Sequence, residues 1–227
     1  MEDEWLAIFD EDGTRTGVAT REEIHRLGIW HETIHCWFIT HEAGVDYIYL
    51  QLRSDDKKDY PNLLDITVAG HIMAHETVED GIREIQEEVG IEVTFDELVP
   101  LGIIKYTNTK EEFIDNELAH SFIYASSKTF DEYTLQREEV SGIVRATFQD
   151  FYDLWLGINE EIRVEGFIID ENGERLPVDK NVTKDSFVPH EDAYYESVVR
   201  KIEVYIRSAL KKKNSSSQSN LAKSHQA

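Results

Sequence analysis

Three glutamates, Glu84, Glu87 and Glu88, occupy positions i, i+3 and i+4 of a predicted helix. At this spacing the side chains share one helix face and repel one another. Such oxygen-rich clusters suit hard cations such as Mg²⁺ or Mn²⁺, which bind one or two carboxylates and complete their shell with water and substrate phosphates. Arg83 can pair with a neighbouring acid and orient it. The alternative interpretation is a solvated acidic face, which is common in a chain this acidic.

A loop followed by a helix carries these glutamates. From Glu79 to Val89 the apolar residues Ile82, Ile85 and Val89 recur at spacings of three and four, which predicts an amphipathic helix. Gly90 then supplies a helix stop. We expect the apolar stripe to face the core and the glutamates to face outward.

The segment from residue 70 to residue 91 resembles the Nudix box, whose pattern is G-x5-E-x7-R-E-U-x-E-E-x-G-U with U aliphatic. The residues that fill its places are Gly70, Glu76, Arg83, Glu84, Ile85, Glu87, Glu88, Gly90 and Ile91. One departure is that six residues, not seven, separate Glu76 from Arg83. Two interpretations follow: Glu76 keeps a distorted partnership with the arginine, or Glu79 replaces it.

The resemblance implies a Nudix pyrophosphohydrolase that cleaves the diphosphate linkage of a nucleoside-diphosphate-type or other small phosphorylated metabolite. It implies Mg²⁺ as cofactor, with Mn²⁺ as the alternative, bound by Glu84, Glu87 and Glu88 and by the backbone carbonyl of Gly70. Arg83 and Glu84 are the implied catalytic residues, with Glu84 as the base. Members of this superfamily also recruit an acid from a distant loop, and the candidates here are Glu117, Glu138 and Glu139.

Residues 53 to 71 are similar to the branch of Nudix proteins nearest isopentenyl-diphosphate isomerase. This similarity implies that Arg53, together with Lys57, meets substrate phosphates; the alternative interpretation is that both are solvated charges of a surface loop. It also places His71 and Glu117 among the residues that contact the substrate.

That branch raises an alternative function, an isomerase acting on an allylic diphosphate. The residues near the places of its metal-binding histidines and acids are His31, His71, Asp115 and Glu117. Its catalytic cysteine, however, immediately precedes the Gly-His pair, and this sequence has Ala69 there. Without that thiol the proton transfer lacks a central group, so we rank isomerisation below hydrolysis. A third hypothesis, a non-catalytic nucleotide-binding module, is disfavoured because the box carboxylates are intact.

Interleaved strand and helix patterns predict an α/β fold. The resemblance specifies it as a Nudix-type α/β/α sandwich with a mixed sheet and a C-terminal helical extension. We divide the chain into a flanking strand and helix (1–29), the Nudix domain (30–156), an extension with a long helix (157–213) and a disordered polar tail (214–227). The apolar stripe of the long helix either packs on the domain or forms the interface of a homodimer.

Composition excludes several classes of protein. With 46 acidic and 23 basic residues the formal charge is −23, which disfavours binding to a nucleic-acid duplex or an anionic membrane. No run approaches the roughly 18 apolar residues of a membrane span, and the acidic start, Met1-Glu2-Asp3-Glu4, is unlike a signal peptide. The single cysteine, Cys36, cannot form an internal disulfide. These features predict a cytoplasmic protein, and the resemblance implies that its partner is a small-molecule diphosphate substrate.

Overall fold

The computed structural model describes residues 4–110 and 113–224, with side chains through residue 211. The helices are α1 (Arg21–Leu27), α2 (Arg83–Val89), α3 (Phe148–Trp155) and α4 (Asp192–Ser224). The strands are β1 (Trp5–Phe9), β2 (Arg15–Thr20), β3 (Trp30–Glu42), β4 (Val45–Arg53), β5 (Leu64–Asp65), β6 (Val68–His71), β7 (Leu98–Lys110), β8 (Phe113–Ala125), β9 (Val140–Thr147), β10 (Glu161–Ile169) and β11 (Arg175–Thr183).

Strand β3 is the centre of a mixed sheet. It pairs in parallel with β8 and antiparallel with β1, β4 and β6. The main path through the sheet is β11-β10-β9-β4-β3-β1-β2. Two registers matter for the site: His31 of β3 lies opposite Glu117 of β8, and Thr33 of β3 lies opposite His71 of β6. Because side chains alternate along a strand, these polar groups share one face of the sheet.

Helices cover both faces of the sheet, so the predicted mixed α/β sandwich is confirmed. Helix α2 packs against one face through Ile85 and Val89, which are both buried. Helices α3 and α4 cover the other face. Among the side chains of α4 that the structure describes, the buried ones are Tyr194, Tyr195, Val198, Val199, Ile202 and Ile206. Burying each large apolar side chain contributes about 1.5–3 kcal/mol, so the predicted extension is part of the core.

The N-terminal segment belongs to the same sheet. Strands β1 and β2 form a hairpin, and β1 continues onto β3. The Thr20 side chain caps α1 by accepting a hydrogen bond from the Glu23 amide at 3.3 Å. Gly28 ends the helix in the left-handed region at φ 65°. This capped helix carries His25, whose side chain is buried.

Several boundaries differ from the sequence prediction. Two short strands, β5 and β6, precede the loop that leads to the box helix. The helix expected from Glu79 begins with a 3₁₀ turn, Asp80–Ile82, and becomes α-helical at Arg83. Strand β11 was not predicted. Helix α4 continues beyond residue 213 to Ser224, while the disorder of 214–227 and the division into domains stay predictions. Among the described residues, no helix is both long and apolar enough to cross a membrane.

Candidate active site

The end of β6 and the start of α2 bring Gly70 and Glu84 into contact. A Cβ on Gly70 would lie 2.6 Å from Glu84 Oε1, so only glycine lets this carboxylate fold back against the strand. Burial raises the pKa of Glu84 to about 7, and the charge of Glu87 adds to the rise while that of Arg83 opposes it. A carboxyl group with this pKa exchanges protons near neutral pH.

Arg83 joins three of the box carboxylates. Its Nε donates to Glu76 Oε1 at 2.6 Å, and its Nη1 donates to Glu84 Oε1 at 2.7 Å and to Glu87 Oε2 at 2.9 Å. Partial burial raises the pKa of Glu76, but the hydrogen bonds from Arg83 and from the Met73 amide outweigh it and hold the pKa below its usual value. Glu76 therefore keeps its partnership with Arg83 despite the shortened spacing.

The other two glutamates of α2 have opposite environments. The Glu87 side chain is about half exposed, at 52%. Glu88, expected to face outward, is instead buried, and Gln51 of β4 donates to its Oε2 at 3.4 Å. Burial, together with the charge of Glu84, raises the pKa of Glu88 well above its usual value. The outward expectation was wrong for Glu88 because β4 covers that side of the short helix.

A second cluster of metal-ligating side chains comes from four elements. His25 of α1, His31 of β3 and His71 of β6 each offer a ligand atom within 4.8 Å of the others. Asp115 and Glu117 of β8 form the same kind of group with His31. The Asp115 Oδ1 atom lies 3.3 Å from His25 Nε2 and 3.5 Å from His31 Nε2.

The second cluster fits a divalent metal ion. His31 Nε2 and Asp115 Oδ1 are buried without a hydrogen-bond partner among the described residues, which is costly unless something else satisfies them. Burial and the neighbouring His31 lower the pKa of His71 well below its usual value, so its imidazole is in the neutral, ligating form. Mixed imidazole and carboxylate ligands suit a transition metal such as Mn²⁺ or Zn²⁺.

The pKa values of the two carboxyl groups of this cluster are shifted in opposite directions. Burial and the charge of Glu117 raise the pKa of Asp115 well above its usual value. Burial also opposes ionisation of Glu117, but hydrogen bonds and charge from His35, with the charge of His31, lower its pKa well below the usual value. Asp115 is therefore the more readily protonated of the two carboxyl groups, and a bound cation would favour the ionised form of both.

Both clusters open into one cavity of about 490 Å³. The cavity is lined by more carboxylate side chains than arginine and lysine side chains. It therefore favours the binding of cations together with a phosphate group. The lining residues that bear on chemistry are His25, Arg53, Lys57, Gly70, His71, Arg83, Glu84, Glu87, Glu88, Asp115, Glu117 and Glu139.

The cationic side chains of the cavity are anchored. Arg53 donates through Nη1 to Asp65 at 3.0 Å and through Nη2 to the Asp59 carbonyl at 2.9 Å, which fixes its position at the wall. Lys57 forms an ion pair with Glu139. Of the candidate distant acids, Glu139 and Glu117 line this cavity, whereas Glu138 lines a separate surface cleft.

Two histidines of the site were missed from sequence. His25 lies in a short amphipathic helix, where its place in the sequence is also that of an ordinary, partly buried helix residue. His35 follows His31 by four residues on β3, and this even spacing was the available signal, because it puts both imidazoles on one face of a strand.

Comparison with known proteins identifies the family. The NUDIX domain family model matches residues 29–165. An uncharacterised Nudix hydrolase of Clostridium acetobutylicum is 39% identical over 200 residues, which cover 88% of this chain and 97% of that protein. Nudix hydrolase 3 of Arabidopsis thaliana is 31% identical over 157 residues, which cover 66% of this chain but only 20% of that longer protein.

Solved structures with a similar fold include one from Deinococcus radiodurans, with a TM-score of 0.49 and 20% identity, covering 66% of this chain and 86% of that one. Another is the Ap4A hydrolase of C. elegans, with a TM-score of 0.47 and 13% identity, covering 78% of this chain and 98% of that one. On the family match and the Clostridium relative, the chain belongs to the Nudix family. It is a pyrophosphohydrolase of a family that generally uses divalent metal ions and acts on small molecules.

Proposed function

We propose that this protein hydrolyses the diphosphate linkage of a nucleoside-diphosphate-type or similar small metabolite in a Mg²⁺-dependent reaction. The observation that carries the proposal is the joint lining of one cavity by the α2 glutamates and by anchored cationic side chains. Glu84, Glu87 and Glu88 would hold Mg²⁺, with the Gly70 carbonyl beside them. The histidine–carboxylate cluster, formed by His25, His31, His71, Asp115 and Glu117, would hold a second divalent ion.

Bound cations supply charge neutralisation at the diphosphate. Protein side chains would bind the substrate, orient the base and accept the proton. Arg53 and Lys57 bind the phosphate oxygens, and Arg83 keeps the Glu84 carboxylate in place. Glu84 accepts a proton from the attacking water, whose oxygen forms the new bond to phosphorus while the bridging P–O bond breaks. The released phosphate leaves with the bridging oxygen.

A substrate panel tests the proposal. Wild-type protein is incubated with Mg²⁺ and nucleoside diphosphate sugars, dinucleotides, nucleotides and isopentenyl diphosphate, in water enriched in ¹⁸O. We expect monophosphate products carrying one ¹⁸O, because substitution occurs at phosphorus. Glu87→Gln should abolish most turnover, whereas Glu92→Gln, an exposed glutamate of the following loop, serves as the matched control. Full activity of Glu87→Gln at every Mg²⁺ concentration would contradict the assigned site.

One observation favours isomerisation of an allylic diphosphate as a second candidate. The histidine–carboxylate cluster includes the four residues that the isomerase similarity implied, namely His31, His71, Asp115 and Glu117. Ala69, which lines the cavity where that similarity calls for a cysteine, weighs against it. In the same panel, conversion of isopentenyl diphosphate to its isomer without ¹⁸O incorporation would favour this function.

A further inference from the structure

A buried chain of hydrogen bonds links the C-terminal helix to the histidine–carboxylate cluster. The Tyr194 hydroxyl, in the first turn of α4, lies 2.7 Å from His35 Nδ1. The other ring nitrogen of His35, Nε2, lies 3.0 Å from Glu117 Oε2. Thr33 Oγ1 donates to the same carboxylate oxygen at 2.7 Å. All four side chains are buried.

The direction of the hydrogen bonds follows from what each group offers. A carboxylate oxygen accepts, so His35 Nε2 carries a hydrogen and donates it to Glu117 Oε2. The other ring nitrogen, Nδ1, is the hydrogen-bond partner of the Tyr194 hydroxyl. Burial raises the pKa of Tyr194 well above its usual value, which keeps the phenol protonated.

We propose that Tyr194 is a positioning residue for the candidate metal site, acting through His35 on the carboxylate of Glu117. The hydroxyl fixes the orientation of the His35 ring, which with Thr33 holds Glu117 Oε2 and leaves Oε1 to bind a cation. Hydrogen bonds that orient metal ligands typically change metal affinity by 10–100-fold when they are removed. The inference rests on the proposed metal-binding role of the cluster and makes the C-terminal extension part of the site.

The adjacent Tyr195 provides a matched control. It is equally buried in the same helix turn, and its hydroxyl donates to the Val188 carbonyl at 2.9 Å. Its ring stacks on Trp155, with the centroids 3.5 Å apart, and contributes to the core. Tyr195→Phe therefore removes the same atom from the same helix without touching His35 or Glu117.

The experiment titrates Mn²⁺ into wild type, Tyr194→Phe and Tyr195→Phe. Pulsed electron paramagnetic resonance identifies the histidine-bound ion by its coupling to imidazole nitrogen. We expect the Kd of that ion to rise about 10–100-fold in Tyr194→Phe and to change less than about twofold in Tyr195→Phe. Thr33→Val, which removes the other donor to Glu117, should also raise the Kd and provides a test that does not alter α4. Thermal unfolding of each variant reports whether the fold is kept.

Three outcomes would overturn the inference: wild-type Mn²⁺ without nitrogen coupling, equal losses in the two tyrosine variants, or an unchanged Kd in Tyr194→Phe. Turnover is read separately. If Tyr194→Phe and Thr33→Val weaken the nitrogen-coupled ion but Glu87→Gln keeps full hydrolytic activity, the positioning role stands and the proposed hydrolytic site fails.

Discussion

The carboxylate of Glu84 rests directly against Gly70, at the point where strand β6 meets the loop before α2. A Cβ at residue 70 would lie 2.6 Å from Glu84 Oε1, which is closer than real side-chain carbons approach. The absence of a side chain at Gly70 therefore determines where the Glu84 carboxylate lies. Adding one methyl group at residue 70 tests this dependence.

Gly70→Ala should displace the Glu84 carboxylate and lower kcat/KM by about 100-fold, the typical cost of a misplacement near 1 Å at a reacting group. The comparison is Gly17→Ala in strand β2, where a Cβ would meet only Ile8 side-chain carbons at 3.6 Å. Steady-state kinetics on the hydrolysed substrate and thermal unfolding of both variants make the measurement. Equal activity of the two variants would contradict the proposed role of Gly70.

Arg83→Lys tests whether one guanidinium organises the box carboxylates. A lysine keeps the positive charge but cannot donate to Glu76, Glu84 and Glu87 together. Its ammonium is a compact point charge, whereas the planar guanidinium spreads its N–H donors over three nitrogens. We expect a fall in kcat of about 10–100-fold with little change in thermal stability. Arg163→Lys is the control, since Arg163 makes an exposed pair with Asp179. A kcat equal to that of wild type in Arg83→Lys would count against the arrangement.

The raised pKa of Glu84 predicts a pH dependence with a definite sign. The folded protein retains a proton between the ordinary value of 4.5 and about 7, whereas the unfolded chain has released it. The free energy of unfolding of the metal-free protein should therefore fall as pH rises through this window and level off above it. Glu88, whose pKa is also raised, acts in the same direction. Urea denaturation across the window measures the slope, which Glu84→Gln should reduce.

Mg²⁺ affinity should show the opposite trend. Carboxylates bind metal in their ionised form, so affinity should increase as pH rises through about 7, and binding should release protons. Isothermal titration calorimetry in buffers of different ionisation enthalpy counts the protons released. A Mg²⁺ affinity that does not vary between about pH 6 and about pH 8 would show that Glu84 is not a ligand.

The local arrangement of the box glutamates could be predicted from the sequence. Glu84, Glu87 and Glu88 share a helix because the i, i+3, i+4 relation is a property of any helix. Burial of Glu88 could not be predicted, since it depends on Gln51 of β4 arriving from elsewhere in the chain. The partnership of Glu76 with Arg83 was likewise open, because it depends on how a loop and a 3₁₀ turn fill a shortened spacing.

Long-range parts of the site were harder to predict. The histidine–carboxylate cluster depends on the register of β3 against β6 and β8, and a shift of one residue would send His31 to the other face. His25 joins it from a separate helix. The link from Tyr194 to His35 spans 159 positions and has no local signature. Strand β11 was missed because it is a largely exposed edge strand with mixed polar residues and Pro177, which lack the alternation of a half-buried strand.

Two truncations separate the structural contribution of α4 from that of its polar end. Removal of residues 214–227 should leave the melting temperature unchanged, because the buried residues described in this helix lie between Tyr194 and Ile206. Removal of residues 187–227 should prevent folding or cause aggregation, since it takes away Phe187 and all the core side chains of α4 and uncovers the sheet face beneath. Circular dichroism and sedimentation velocity on both proteins provide the measurement. A folded, monomeric protein lacking residues 187–227 would contradict the assignment of this helix to the core, and with it the physical basis for Tyr194 acting on the site.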